Sequence, residues 1–322
     1  MRTKYPRSDH YDGQRFFNPG VAHSSRSLLQ VLRWRLSAER ARWPTNITDP
    51  AFPSPPHIVS PGCVAVTHIN HASFLIRFPG AVVLTDPIFS ERCSPVSWAG
   101  PKRARPPGLE PGYLPRPDVV LLSHNHYDHM DLPSLRAIQR HHAPMFVTTL
   151  GNAAVLRRQG IEATELDWWQ NVTAGPLRIT ATQARHFAAR TPFDRNRTLW
   201  AGFMIQEAEG KVLFAGDSAM GPHWQDIRAR LGPPNVALLP IGAYEPRWFM
   251  QAAHMNPAEA VRAHIDLRSG YSIGMHYGTF QLTDEAIDAP LHALAEALDA
   301  SGVAEGQFTT LGFGETRIYN LS

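Results

Sequence analysis

The apolar positions of this chain fall into short runs bounded by turn residues, and several of those runs end on a side chain able to bind a metal. Val119-Val120-Leu121-Leu122 follows Pro115, Arg116, Pro117 and Asp118. A brief run of branched aliphatics set off in this way predicts a buried strand. Leu177–Thr182 alternates and leads into Gln183-Ala184-Arg185-His186. Lys211–Gly216 stops at Asp217, and Tyr271–Met275 stops at His276. A further apolar run, Val236–Ile241, opens onto Gly242-Ala243-Tyr244, and helix-like sequence covers Leu132–Arg140. In α/β folds, binding residues gather at strand ends, where rigid elements hand over to loops.

The densest chemistry sits directly after the first of these strands. Ser123–Asp131 reads Ser-His-Asn-His-Tyr-Asp-His-Met-Asp, which sets His124, His126, Asp128 and His129 in the spacing H-x-H-x-D-H. Neutral imidazoles and a carboxylate suit zinc and its first-row neighbours. Core packing gives no reason to crowd them, whereas the adjacent His141 and His142 carry no such spacing. The expected arrangement places His124, His126 and His186 on one metal and Asp128, His129 and His276 on a second, with Asp217 bridging. Two divalent ions, two carboxylates and a bridging hydroxide leave a centre of about +1, suited to an anionic substrate oxygen. The histidine-rich set points to two zinc ions, with iron or manganese as alternatives.

These residues, with others, carry a family likeness. The chain resembles the metallo-β-lactamase superfamily, whose signature is the H-x-H-x-D-H loop. Within it, the chain looks like the branch of N-acyl-phosphatidylethanolamine-hydrolysing phospholipase D and its bacterial relatives. The likeness is carried by Gly100-Pro101-Lys102-Arg103, Glu165–Trp169 and His276–Phe280, and the narrower markers are Thr85-Asp86-Pro87-Ile88-Phe89-Ser90 and Ile241–Met250. The resemblance implies an αββα four-layer sandwich with a di-zinc site at one edge, the same seven ligands, and Asp128 and His254 among the catalytic residues. It also implies a phosphodiester substrate, an N-acylated ethanolamine phospholipid cut to phosphatidic acid and a fatty-acid ethanolamide by a metal-bridging hydroxide. Phe187 and Tyr277 stand where the branch has Trp, and Asn70 where it has Gly. None of these departures removes a ligand; they concern the substrate pocket.

Because the ligands run from His124 to His276 and must converge, no domain boundary can fall between them. We read residues 61–322 as one catalytic domain and residues 1–60 as an N-terminal extension. Pro50, Pro53, Pro55, Pro56 and Pro61 mark the join. Within the extension, residues 27–43 interleave Leu28, Leu32, Trp34 and Leu36 with arginines, an amphipathic helix expected either to dock on the core or to lie on a membrane surface. Met1–Gln14 lacks the apolar stretch of a secretory signal, no run is long enough for a membrane span, and two cysteines suggest reduced thiols. A cytoplasmic enzyme, peripheral on the inner membrane face if the helix binds lipid, is the expectation.

A net charge of +3 is mild, and Lys102-Arg103-Ala104-Arg105 is the main basic run. Arg247 is expected either to grip phosphate with its planar fork or to pair with Glu245 or another structural carboxylate. Tyr244 and Trp248 are expected beside the substrate, and Trp168, Trp169 and Phe249 in an apolar channel or the core. The expected partner is a phospholipid or another anionic small molecule. Nucleic acid is not expected, since the ribonucleases of this superfamily carry an inserted domain for which Asp217–His276 leaves no room. A homodimer follows only by analogy with the branch. The same centre would serve a lactonase or β-lactam hydrolase attacking carbonyl carbon. A non-catalytic metal-binding module is the remaining alternative.

Overall fold

The computed structural model describes residues 5–20, 33, 34, 40–208 and 210–321. Most of the amphipathic segment at 27–43 therefore lies outside the described residues. One seven-stranded sheet has the order β14-β1-β2-β3-β4-β5-β6 and the other β13-β12-β11-β10-β9-β8-β7. In the first, β1 (Cys63–Asn70), β2 (Ser73–Arg77), β3 (Val82–Thr85) and β14 (Thr316–Asn320) pair antiparallel. There β3, β4 (Val119–Leu121), β5 (Met145–Thr149) and β6 (Ala163–Leu166) run parallel. In the second, β7 (Asn171–Ala174), β8 (Leu177–Thr182), β9 (Gly202–Glu207) and β10 (Gly210–Phe214) are antiparallel neighbours. From β10 onward, β11 (Val236–Pro240), β12 (Tyr271–Met275) and β13 (Phe308–Thr309) run parallel.

The strands read as continuous apolar runs because both faces of each sheet are covered. Phe74, Ile76, Val83, Val119, Leu121 and Val147 join the core shared with the second sheet. Their alternates Leu75, Leu84, Val120 and Phe146 face outward into a separate cluster. That cluster lies under helices α1 (Leu132–His142) and α2 (Ala153–Arg157), through Leu135, Ile138 and Leu156. Helices α3 (His223–Leu231), α5 (Pro257–Leu267) and α6 (Ala289–Ser301) pack together on the second sheet, α5 against β11. The short α4 (Arg247–Met250) follows β11. The architecture is thus the expected αββα sandwich. Helix α5 opens with a capping box, Asn256 accepting from Glu259 N (2.8 Å) and Glu259 from Asn256 N (3.1 Å).

The extension is fastened to the domain. Phe16 is buried in the core with Tyr11. His10 stacks on Trp168 (4.4 Å) while its ring nitrogens reach Asp9 (2.6 Å) and Asp167 (2.8 Å). Trp34 bonds Asp284 (2.7 Å) and stacks on Phe249 (4.8 Å), and Trp43 donates to Glu285 O (2.8 Å). The basic run holds loops together: Arg105 pairs with Asp49 (2.5 Å), Arg103 donates to Ile88 O and Ser90 O, and Lys102 pairs with Glu91. Among the described residues, no helix is long and apolar enough to cross a membrane.

Burial lowers the pKa of His10, but hydrogen bonds to Asp167 and Asp9 outweigh it, and the net direction is upward. A group whose pKa is raised by folding stabilises fully below its unfolded pKa and loses that contribution as pH rises through the folded value. Asp167→Asn should therefore cost about 1–2 kcal/mol at pH 5.5 and much less at pH 9, by thermal melts. An equal cost at both pH values would contradict a charged His10 clamp.

Candidate metal centre

The candidate ligands follow the C-terminal ends of strands in both sheets. After β4 come His124, His126, Asp128 and His129; after β8 His186; after β10 Asp217; after β12 His276. All seven are buried or nearly so. The ligand atoms of His124, His126, His186 and Asp217 lie within 4.8 Å of one another. His124 Nε2 is 2.8 Å and His186 Nε2 3.2 Å from His126 Nδ1. In the second group, Asp128 Oδ2 is 3.3 Å from both His129 Nε2 and His276 Nε2.

Asp217 stands between the two groups. Its Oδ2 is 3.1 Å from His276 Nε2, 3.2 Å from His129 Nε2, 3.6 Å from His186 Nε2 and 3.9 Å from His124 Nε2. Ligands about 2.0–2.1 Å from a tetrahedral ion sit about 3.3 Å from one another, so this spacing is that of a coordination shell. His129 Nε2, His276 Nε2 and Asp217 Oδ1 are buried without a hydrogen-bond partner. Each such atom costs about 1–3 kcal/mol unless something takes its lone pair. A pair of divalent cations fits all three.

A second rank of residues aims these ligands. Asp86, at the end of β3, takes His129 Nδ1 at 2.6 Å and accepts from Ser123 N (2.8 Å) and Ser123 Oγ (2.5 Å). Ser123 Oγ also reaches His124 Nδ1 (2.9 Å). His186 Nδ1 bonds Ala253 O (3.0 Å). Holding one ring nitrogen leaves the other turned to the centre, the usual device for metal-binding imidazoles. Backbone bonds tie the sheets at the same places, His276 N to His71 O (2.9 Å) and Ala201 N to Ser123 O (3.0 Å). His71, Asp86 and His276 adopt positive φ (44°, 33° and 63°), strained for side chains of this size. Gly242 lets the chain pass this knot, for a Cβ there would lie 2.2 Å from His276 O.

His71 is the residue the motif reasoning left out. It occupies the β1–β2 turn, its Nε2 is 2.9 Å from Asp128 Oδ2, and it joins Asp128, His129 and His276 in one cluster. In the sequence it stands in the family-like segment His68–Ser73 without being marked as a site residue, and His68 of the same segment is instead buried against Phe74 and Phe313. Asp86 was visible only as part of a marker segment. His254 does arrive at the centre, buried, with Nδ1 4.0 Å from Asp217 Oδ2 and its ring against His186 and His276.

The remaining expected site residues stand further out. The Arg247 guanidinium is engaged by Glu259 (2.8 Å), His254 O (3.1 Å) and Tyr244 O (3.4 Å), so it braces the backbone that carries His254. Tyr244 is buried, and Trp248 is 40% exposed. The Glu285 carboxylate accepts from Ala243 N (2.6 Å), Tyr244 N (3.3 Å) and Glu245 N (3.2 Å), which pins this loop. Trp168 lies in the core.

Residues 82–277 match the beta-lactamase superfamily domain. The chain belongs to the metallo-β-lactamase superfamily. It is 36% identical over 291 residues to an uncharacterised Mycobacterium tuberculosis protein, covering 86% of this chain and 76% of that one. It is likewise 36% identical over 263 residues to N-acyl-phosphatidylethanolamine-hydrolyzing phospholipase D 1 of Caenorhabditis elegans, covering 77% and 74%. A metallo hydrolase structure from Ignicoccus hospitalis shares the fold, with a TM-score of 0.61 and 23% identity over 81% of this chain and 100% of that one. As a member of this superfamily the protein is a metallo-hydrolase with clusters of candidate metal ligands.

Electrostatics set the pH behaviour of this superfamily centre. Burial drives His124 and His186 well below the usual histidine value, and His126 to about 4. Burial also opposes charge on His276, but Asp217 and Asp128 override it and push the ring up to about 9; His129 is raised in the same way. Asp217 and Asp128 thus favour protons on the His276 and His129 rings, and a cation binding there competes with them. Metal binding at pH 7 should release protons, measured by calorimetry in buffers of different ionisation enthalpy. Heats independent of buffer would contradict this charge distribution. Asp86→Asn should weaken metal binding about 10–100-fold by removing the partner of His129 Nδ1. Unchanged affinity in a chelator competition would remove Asp86 from the centre.

Proposed function

We propose that this protein is a zinc-dependent phosphodiesterase that hydrolyses N-acyl-phosphatidylethanolamine-type phospholipids to N-acylethanolamine and phosphatidic acid. The observation that carries the reading is His254, a buried imidazole outside the seven-ligand set that nonetheless faces Asp217 at 4.0 Å. A hydrolase that expels an alkoxide gains from a hydrogen-bond donor beside the reacting oxygens, and the position of His254 supports that role. The 36% identity to the nematode phospholipase over three quarters of the chain supports the choice of substrate.

Two divalent cations held by the seven ligands would supply Lewis-acid activation of water and of the phosphoryl oxygens. The protein supplies position. Burial lowers the His254 pKa to about 4, so at neutral pH the ring is uncharged and would hydrogen-bond the leaving oxygen through its one N–H while water supplies the proton. Arg247 and Glu259 fix its backbone from behind. Trp248 is the exposed aromatic of the same loop and would meet the apolar part of a lipid.

The test is release of N-acylethanolamine from a defined lipid in mixed micelles, run beside a lactone and a β-lactam. The zinc-loaded enzyme should cleave the phospholipid preferentially. His254→Gln should lose about 10²-fold in kcat while retaining its metal. Turnover of the lactone or β-lactam without ethanolamide release would overturn the substrate assignment. Full lipid turnover by the variant would remove His254 from the chemistry.

A further inference from the structure

We infer that the N-terminal segment at residues 5–20 is part of the metal centre, and that Asn18 within it is a positioning residue for the ligand His186. The inference rests on the metal centre alone and not on which ester is cut. His186 lies four residues beyond the end of β8, on a loop, so no strand ladder fixes its backbone. Its ring is held through Nδ1 by Ala253 O. Its backbone is held from the opposite end of the chain, where Asn18 Nδ2 donates to His186 O at 2.9 Å.

The rest of the segment makes that bond possible. Asn18 Oδ1 accepts from Trp200 Nε1 (3.2 Å), which turns the amide so that its N–H faces His186. Phe16 N donates to Asn196 O (2.8 Å), and Arg15 donates to Arg195 O (3.1 Å). The segment therefore grips the loop at its start and again near residues 195–196. Between those points Phe187 packs on the His126 ring (4.6 Å), with the Arg195 guanidinium over it (4.2 Å). His126 and His186 belong to the same cluster, so the strap bears on one of the two metal positions. Phe16, at 1% exposure, together with Tyr5 on Glu165 and His10 on Asp167, anchors the strap so that it does not slide.

Cobalt(II) titration of the full-length protein, followed by visible absorption, tests this directly. Asn18→Ala removes both bonds of the amide. Asn18→Asp keeps the acceptor for Trp200 and removes only the donor to His186. Both variants should take up one cobalt ion normally, bind the other about 10–100-fold more weakly, and show altered bands for that ion. Wild-type affinity and bands in both variants would overturn the inference. So would a defect confined to Asn18→Ala, which would assign the effect to the Trp200 bond and packing. If Asn18→Ala does not fold, Asn18→Asp decides alone: two normally bound ions would refute the role. Failure of the wild-type protein to bind two cobalt ions would instead strike the metal centre itself.

Discussion

A single carboxylate oxygen, Asp217 Oδ2, has the nitrogens of five imidazoles within 4.0 Å. Nothing in ordinary core packing tolerates that arrangement. Buried ionic groups cost several kcal/mol each unless their charges are matched, and here His129 Nε2, His276 Nε2 and Asp217 Oδ1 lack a hydrogen-bond partner. The site makes physical sense as a receptacle for cations. Everything else in the structure serves to bring these groups together and keep them there.

The sandwich is how that is done. The first sheet contributes His71, Asp86 and the His124–His129 loop, and the second contributes His186, Asp217 and His276. Neither sheet holds a complete set, so the centre exists only when the two close over their shared apolar core. Backbone bonds from His276 to His71 and from Ala201 to Ser123 fasten the seam at the ligands themselves. Around them, Asp86, Arg247 with Glu259, and Asn18 hold residues that have left the strands and lost ladder support. The left-handed conformations of His71, Asp86 and His276 show how tightly these turns are drawn.

Much of this was legible from the chain alone because metal ligation compresses its signal. Four ligands crowd one loop, and the other three each follow an apolar run, so periodicity and chemistry point to the same positions. The residues that aim the ligands have no such signature. Asp86 looks like a turn aspartate before Pro87, and His71 looks like His68 until the fold separates them. Asn18 lies 168 residues from the carbonyl it bonds, in a stretch without periodicity. The fork of Arg247 suits phosphate and carboxylate alike, and the carboxylate that takes it, Glu259, lies twelve residues away. Long-range polar bonds depend on the closed tertiary structure, which local patterns do not encode.

We propose that two cations share Asp217. Anomalous scattering at the zinc edge, from crystals grown with zinc, measures this most directly. The account requires two peaks about 3.5–4 Å apart. One should be contacted by His124, His126 and His186, and the other by Asp128, His129 and His276, with Asp217 touching both. A single peak, or two peaks that do not share Asp217, would contradict it.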